Sequence, residues 1–163
     1  MKCIILAAGY ATRLYPLTEN FPKPLLKVQG KAILDWLIDD IDRSGEIDEY
    51  VVVSNHKFID YFKSWSVGKK QKITVLDDGS TSNETRLGAV KDVQFAIDSL
   101  NINQDVIVLA GDNLLDFSLT KFVLYAKQKK TSAIMRHYEP SIEKLIRWND
   151  ISGGIIKKTI VVY

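Results

Sequence analysis

The sequence predicts an α/β domain on a mostly parallel, Rossmann-like sheet with helices on both faces. Three observations predict it. Short runs rich in Val, Ile and Leu alternate along the chain with amphipathic stretches of helical period. The runs are continuously apolar, as in strands covered on both faces. Polar or glycine-containing segments follow their carboxyl ends, where open α/β sheets bind ligands.

The elements follow in order. Met1 to Ala8 is the first strand, with Cys3-Ile-Ile-Leu6 as its apolar run, and a long irregular loop succeeds it. From Lys31 to Arg43, Ile33, Leu34, Trp36, Leu37, Ile38 and Ile41 form one apolar helical face, and Gly45 lies beyond its end. Asp35, Asp39, Asp40 and Asp42 are then the solvated face. Tyr50 to Ser54 is a β-branched strand, His56 to Trp65 a short helix, and Ile73 to Leu76 a strand ending at Asp77-Asp78-Gly79. A polar stretch from Ser80 runs into a helix over Arg86 to Leu100. Asp105 to Asp112 is the next strand, with Gly111-Asp112 at its carboxyl end. Leu119 to Lys129 is a helix with Ser118 or Thr120 as cap, and Thr131 to Tyr138 is a further strand. Beyond Pro140 the rhythm breaks: Glu143 to Trp148 is weakly helical, and Ile151 to Tyr163 is a hairpin turning at Lys157-Lys158 or one apolar strand. The domain is thus read as 1–140, with 141–163 a divergent segment packing on it or extending it.

Length and composition set bounds. A chain of 163 residues is ordinarily one domain and buries about 70% of its unfolded surface. A net charge of +2 gives no argument for nucleic acid or for an anionic membrane. Cys3 is the single cysteine, so no internal disulfide forms. No signal pattern opens the chain, and its apolar runs fall short of the ~20 residues of a membrane span. A cytoplasmic protein is the default expectation.

The loop after the first strand gathers Gly9, Thr12, Arg13 and Lys23. A small-residue turn lets backbone N–H groups approach a phosphate, and Arg and Lys neutralise it. By topology this loop, the Thr85 to Ala89 turn and Asp112 all lie at carboxyl strand ends, so they are expected to converge on one cleft. Asp112 alternatively caps a helix or forms a turn. Pro16, Pro22 and Pro24 stiffen the loop. His56 and His137 lack metal-ligand spacing to another His or Cys and read as surface or core-edge residues. Asn83, Glu84, Thr85 and Arg86 are either a plain loop or readers of base or acceptor.

LAAGYATRLYPLT followed by PKPLL resembles the signature of the sugar-phosphate nucleotidyltransferase family, Leu-Ala-Ala/Gly-Gly-x-Gly-Thr-Arg-Leu-x-Pro-Leu-Thr and then Pro-Lys-Pro-Leu. Val28, Gly30, Lys31, the Leu87-Gly88-Ala89 turn and Leu109-Ala-Gly-Asp112 continue the resemblance over residues 1 to 140. Ala11 departs from it, standing where the family usually has glycine. If the position has positive φ, alanine costs on the order of 1 kcal/mol; if φ is negative, the change is harmless.

The resemblance implies a nucleotide-diphospho-sugar transferase-like fold and an Mg2+-dependent enzyme. It transfers an NMP from a nucleoside triphosphate to a sugar 1-phosphate or similar phosphorylated alcohol and releases pyrophosphate. It also implies roles. Leu6, Ala7, Ala8, Gly9 and Thr12 belong to the nucleotide-binding stretch, with Ala7, Ala8 and Gly9 offering backbone groups to base and ribose. Arg13 binds the departing pyrophosphate, and Lys23 sits near the α-phosphate and the incoming phosphate. Asp112 holds Mg2+, and Gly88 allows close approach to nucleotide or sugar. Family members are longer, and their second half supplies a second metal-binding aspartate and a Glu-Lys-Pro type element that this sequence lacks. Asp150, the only aspartate after Asp116, has surroundings unlike that second metal block. The chain therefore reads as the amino-terminal portion of such a fold, truncated. Its shortened sheet would expose an apolar edge, which predicts a homo-oligomer. The alternative function is a non-catalytic nucleotide- or sugar-phosphate-binding fragment or regulatory relative.

Overall fold

A computed structural model describes residues 1–135 and the strand 160–162. The strands are β1 (Lys2–Leu6), the two-residue β2 (Lys27–Val28) and β3 (Lys31–Ala32), β4 (Glu49–Ser54), β5 (Ile73–Asp77), β6 (Val106–Ala110), β7 (Ala133–Met135) and β8 (Ile160–Val162). The helices are α1 (Ile33–Asp42), α2 (Ile59–Ser66), α3 (Ala89–Ser99) and α4 (Leu119–Lys129). Each strand and helix predicted before residue 135 forms. The stretch Glu143 to Trp148, the turn at Lys157-Lys158, His137 and Asp150 lie outside the described residues.

The main sheet has the order β5-β4-β1-β6-β8-β7. β5, β4, β1 and β6 run parallel, with Ile4 of β1 opposite Val51 of β4 and Val108 of β6. β8 enters antiparallel between β6 and β7. The sheet is therefore mostly parallel, and its last part is built by a strand remote in sequence. β2 and β3 form a separate small hairpin leading into α1.

Alternation along the strands sorts the core into two layers. Cys3 and Ile5 of β1 face Leu34, Leu37, Ile38 and Ile41 of α1, Phe62 of α2 and Val123 of α4. Ile4 faces the other way, with Val51, Val53 and Val108, against Ala96 of α3. Helices thus cover both faces, which is why the strand sequences carry no polar alternation.

The face of α1 predicted to be merely solvated fastens neighbouring elements. Asp35 Oδ1 accepts from Trp65 Nε1 at 2.9 Å and Lys69 Nζ at 2.7 Å. Asp42 accepts from Tyr50 OH at 3.1 Å and Gln71 Nε2 at 3.0 Å. Asp40 accepts from the Leu119 amide at 2.6 Å and Ser118 Oγ at 3.2 Å. Ser118 occupies the N-cap position of α4 but makes no side-chain cap bond there. The cap is supplied across the helix pair by Asp40, satisfying an amide that has no partner within α4.

Candidate active site

The loop from Gly9 to Leu26 is irregular but firmly held. A 3-10 turn spans Thr12–Leu14 and a second spans Lys23–Leu25. Ala11 starts the first at φ 48° and ψ 40°, in the left-handed region. Its carbonyl accepts from Leu14 N at 2.9 Å and from Thr18 Oγ1 at 2.8 Å, and Thr18 is fully buried. The position that departs from the family pattern therefore does need φ > 0. Ala11→Gly is expected to raise stability by about 1 kcal/mol, read as a higher urea midpoint with unchanged slope.

The second turn presents Lys23. Leu25 N donates to Pro22 O at 3.0 Å and Leu26 N to Lys23 O at 3.0 Å, while Pro24 and Leu25 are buried. From this anchored base, Lys23 Nζ reaches Asp112 Oδ2 at 2.8 Å. Asp112 arrives from the far side of β1. Gly111 lies flush against that strand: its amide donates to Leu6 O at 2.9 Å, and a Cβ there would sit 3.0 Å from Ile5 Cγ2. Packing against β1 thus crowds any side chain at Gly111, beyond its ending a strand. Two residues 89 positions apart, singled out separately by the sequence, share one contact. The Asp112 carboxylate is thus paired with the Lys23 ammonium.

Arg13 and Thr12 lie on the exposed first turn of the same loop. Ala7 and Ala8 are buried and largely committed to the fold: Ala7 N donates to Val53 O at 2.9 Å, and Ala8 O accepts from Asn55 Nδ2 at 3.0 Å. Leu6 likewise gives its carbonyl to Gly111 and packs its side chain on the α3 side of the sheet. Gly9 is the exposed member of the strip, and a Cβ there would meet no atom within 4 Å. Gly88 sits just before α3 at φ 89° and ψ 156°, a conformation that favours glycine. That is why α3 starts at Ala89 rather than at Arg86 as the apolar pattern suggested.

Several residues at the site escaped the sequence reading. Tyr10 is buried and its hydroxyl donates to Ser80 O at 3.0 Å, which ties the loop to the segment after β5. Asn55 ties it to the end of β4. His56 Nδ1 lies 2.7 Å from Asp77 Oδ2 on an exposed edge. Burial pushes the Asp77 carboxyl up, but the hydrogen bonds from His56 and the Gly79 amide prevail and hold it below its ordinary range. Asp92, in the first turn of α3, is buried, and its carboxyl is pushed up to about 6 by burial and then by Asp78. Asn55, Asp78 and Ser80 follow the carboxyl ends of β4 and β5, and Asp77 is the last residue of β5, so the rule that picked Asp112 was the signal that could have found them. Thr85 is engaged locally, accepting from Ser82 N at 3.0 Å, while Arg86 reaches Asn83 Oδ1 at 3.3 Å. The polar stretch before α3 is thus organised by its own side chains.

A family profile described as Nucleotidyl transferase matches residues 2–143. The chain belongs to that family. It is 29% identical over 164 residues to the mannose-1-phosphate guanylyltransferase catalytic subunit beta of Dictyostelium discoideum, covering 96% of this chain and 44% of that protein. It is 36% identical over 127 residues to the bifunctional protein GlmU of Methanococcus vannielii, covering 77% of this chain and 28% of that one. A crystal structure of UDP-glucose pyrophosphorylase complexed with UDP-glucose superposes with a TM-score of 0.69 at 16% identity, covering 88% of this chain and 59% of that chain. The chain spans less than half the length of both curated relatives, and the structural likeness, at its low identity, speaks for the fold. No helix among the described residues is long and apolar enough to cross a membrane.

Proposed function

We propose that this chain carries the nucleotide-binding part of an enzyme that transfers an NMP from a nucleoside triphosphate to a sugar 1-phosphate or a similar phosphorylated alcohol. The observation that carries this reading is the 2.8 Å contact between Lys23, on the loop that also carries Gly9 and Arg13, and Asp112, just after β6. In the reaction a phosphate oxygen of the acceptor bonds to the α-phosphorus while the bond to the β-phosphate oxygen breaks, and pyrophosphate leaves. The attacking phosphate is already ionised near neutral pH, so no general base is needed. Catalysis rests on in-line positioning and charge neutralisation.

The residues then take these parts. Arg13 holds the pyrophosphate end. Lys23 leaves Asp112 for the α-phosphate and the incoming phosphate. Gly9 and Gly88 let backbone approach the nucleotide; at Gly9 neither a positive φ nor packing demands glycine, so the open space there is available to a ligand. The hard oxygens of Asp112, a partly exposed carboxylate, fit Mg2+. No group of three His, Cys, Asp or Glu among the described residues forms a closed metal cage. Asp112 would therefore share the ion with triphosphate oxygens and water, and bound Mg2+ would neutralise phosphate charge.

Residues 1–140 act as the nucleotide-binding domain with 141–163 appended, in the cytoplasm where triphosphates are available, and the chain self-associates. Neither nucleic acid nor membrane is among its partners. Pyrophosphate release should be measured with each common nucleoside triphosphate, Mg2+ and a panel of phosphorylated acceptors. Release dependent on one triphosphate and one acceptor is expected. Triphosphate binding without turnover would instead favour the non-catalytic binding module, a reading supported by the lack of a three-ligand metal group among the described residues.

A further inference from the structure

We propose that Asn55 is a positioning residue that sets the Ala8–Tyr10 backbone for the nucleotide. The inference rests on the nucleotide-binding reading of that strip. Asn55 follows β4, is fully buried, and uses both halves of its amide. Its Nδ2 donates to Ala8 O at 3.0 Å. Its Oδ1 accepts from the Phe58 amide at 3.0 Å, capping the turn that leads into α2. One side chain therefore connects the start of the signature loop to the end of β4 and to the helix behind it. Donating at one end and accepting at the other is a combination that a primary amide has and that an ionised carboxylate or an aliphatic side chain lacks.

A second tie lies two residues along. Ser80 O accepts from Tyr10 OH at 3.0 Å and from His56 N at 2.9 Å. Ala8 and Tyr10 are thus held from the ends of β4 and β5 respectively, and exposed Gly9 is suspended between them. A strip so clamped has its donors aimed before any ligand arrives, so little ordering is left for binding to do.

The test uses the full 163-residue chain and Asn55→Ser. Serine caps a helix turn about as well as asparagine, so the Phe58 amide keeps an acceptor, but its hydroxyl is too short to reach Ala8 O. Asn55→Asp, which also keeps the cap acceptor but offers no donor when ionised, serves as a second variant and is judged in the same way if the serine form does not fold. In nucleotide-free protein, the backbone 15N order parameters of Gly9 and Tyr10 should fall from about 0.85 to below about 0.6, while the Phe58 amide keeps its protection from hydrogen exchange. Calorimetry with ATP, CTP, GTP and UTP in turn should show about tenfold weaker binding of whichever one the parent protein binds. Order parameters at Gly9 and Tyr10 equal to the parent overturn the tether. Lower order parameters with unchanged triphosphate affinity overturn the positioning role. A parent that binds none of the four removes the nucleotide reading and this proposal with it, an outcome set apart because the parent itself fails.

Discussion

Lys23→Ala is expected to lower turnover about 100-fold or more while leaving the fold intact. The two halves of this expectation come from the same contact. Lys23 and Asp112 are respectively 28% and 45% exposed, so their ion pair is screened and contributes roughly 0–1 kcal/mol to stability. The turn that carries Lys23 is held by backbone bonds and by buried Pro24 and Leu25, none of which needs the ammonium. Under the proposed function, removing it therefore takes away a positive charge meant for phosphate and little else. Arg13→Ala should also weaken turnover or triphosphate binding, chiefly through the pyrophosphate end.

Asp112→Asn separates the roles of the pair. If Asp112 only restrains Lys23, the amide frees the lysine and triphosphate affinity holds or improves. If Asp112 holds Mg2+, the neutral amide loses most of its attraction for the ion, and turnover falls together with Mg2+ affinity. The second result is expected. Titrating the parent and the variant with Mn2+, followed by its electron spin resonance signal in the presence of triphosphate, reads ion affinity without relying on activity. Parent-like turnover in Lys23→Ala, Arg13→Ala and Asp112→Asn alike would remove the active-site assignment.

The frame of this fold was legible because its strands are buried on both faces. Val51-Val-Val53 and Val106 to Leu109 can hardly be anything other than central strands, and the carboxyl ends of such strands are where open α/β sheets bind ligands. The Lys23–Asp112 meeting followed from that topology together with the family signature. What stayed hidden depends on contacts between distant elements. Nothing in the local pattern of residues 160–162 says that they pair with β6 and β7 in antiparallel fashion. Asp40 looks like any solvated helix carboxylate until α4 packs beside α1 and brings the Leu119 amide to 2.6 Å. Asn55 and Tyr10 were hidden for a similar reason: a buried polar group declares itself only through its partner, and Ala8 O and Ser80 O are far from them in sequence or in loop order. The penalty at Ala11 turned on a single dihedral angle, whose sign the sequence left open.

Asp92→Asn is expected to stabilise the protein by about 3 kcal/mol at pH 8 and by little at pH 4. The carboxyl is 5% exposed in the first turn of α3. A helix amino terminus ordinarily favours a carboxylate. Here burial opposes ionisation first, and the Asp78 carboxylate adds repulsion, so the carboxyl is pushed up from 3.8 to about 6. Neither Asp92 Oδ1 nor Asp78 Oδ2 finds a hydrogen-bond partner among the described residues. The folded state thus holds the Asp92 proton more tightly than the unfolded chain does. Its contribution is fully present below about pH 4, shrinks as the pH rises, and is lost above about pH 6. Asparagine cannot ionise and so escapes that loss. Urea unfolding of parent and variant at pH 4, 6 and 8 checks this: the gap between midpoints should open as the pH rises. A gap independent of pH would mean that Asp92 titrates normally and that its burial is relieved in solution. Because Asp92 lies one turn after Gly88, the same variant also probes whether the proposed nucleotide site keeps this carboxyl at the expense of stability. Weaker triphosphate binding by a more stable variant would show that trade-off directly.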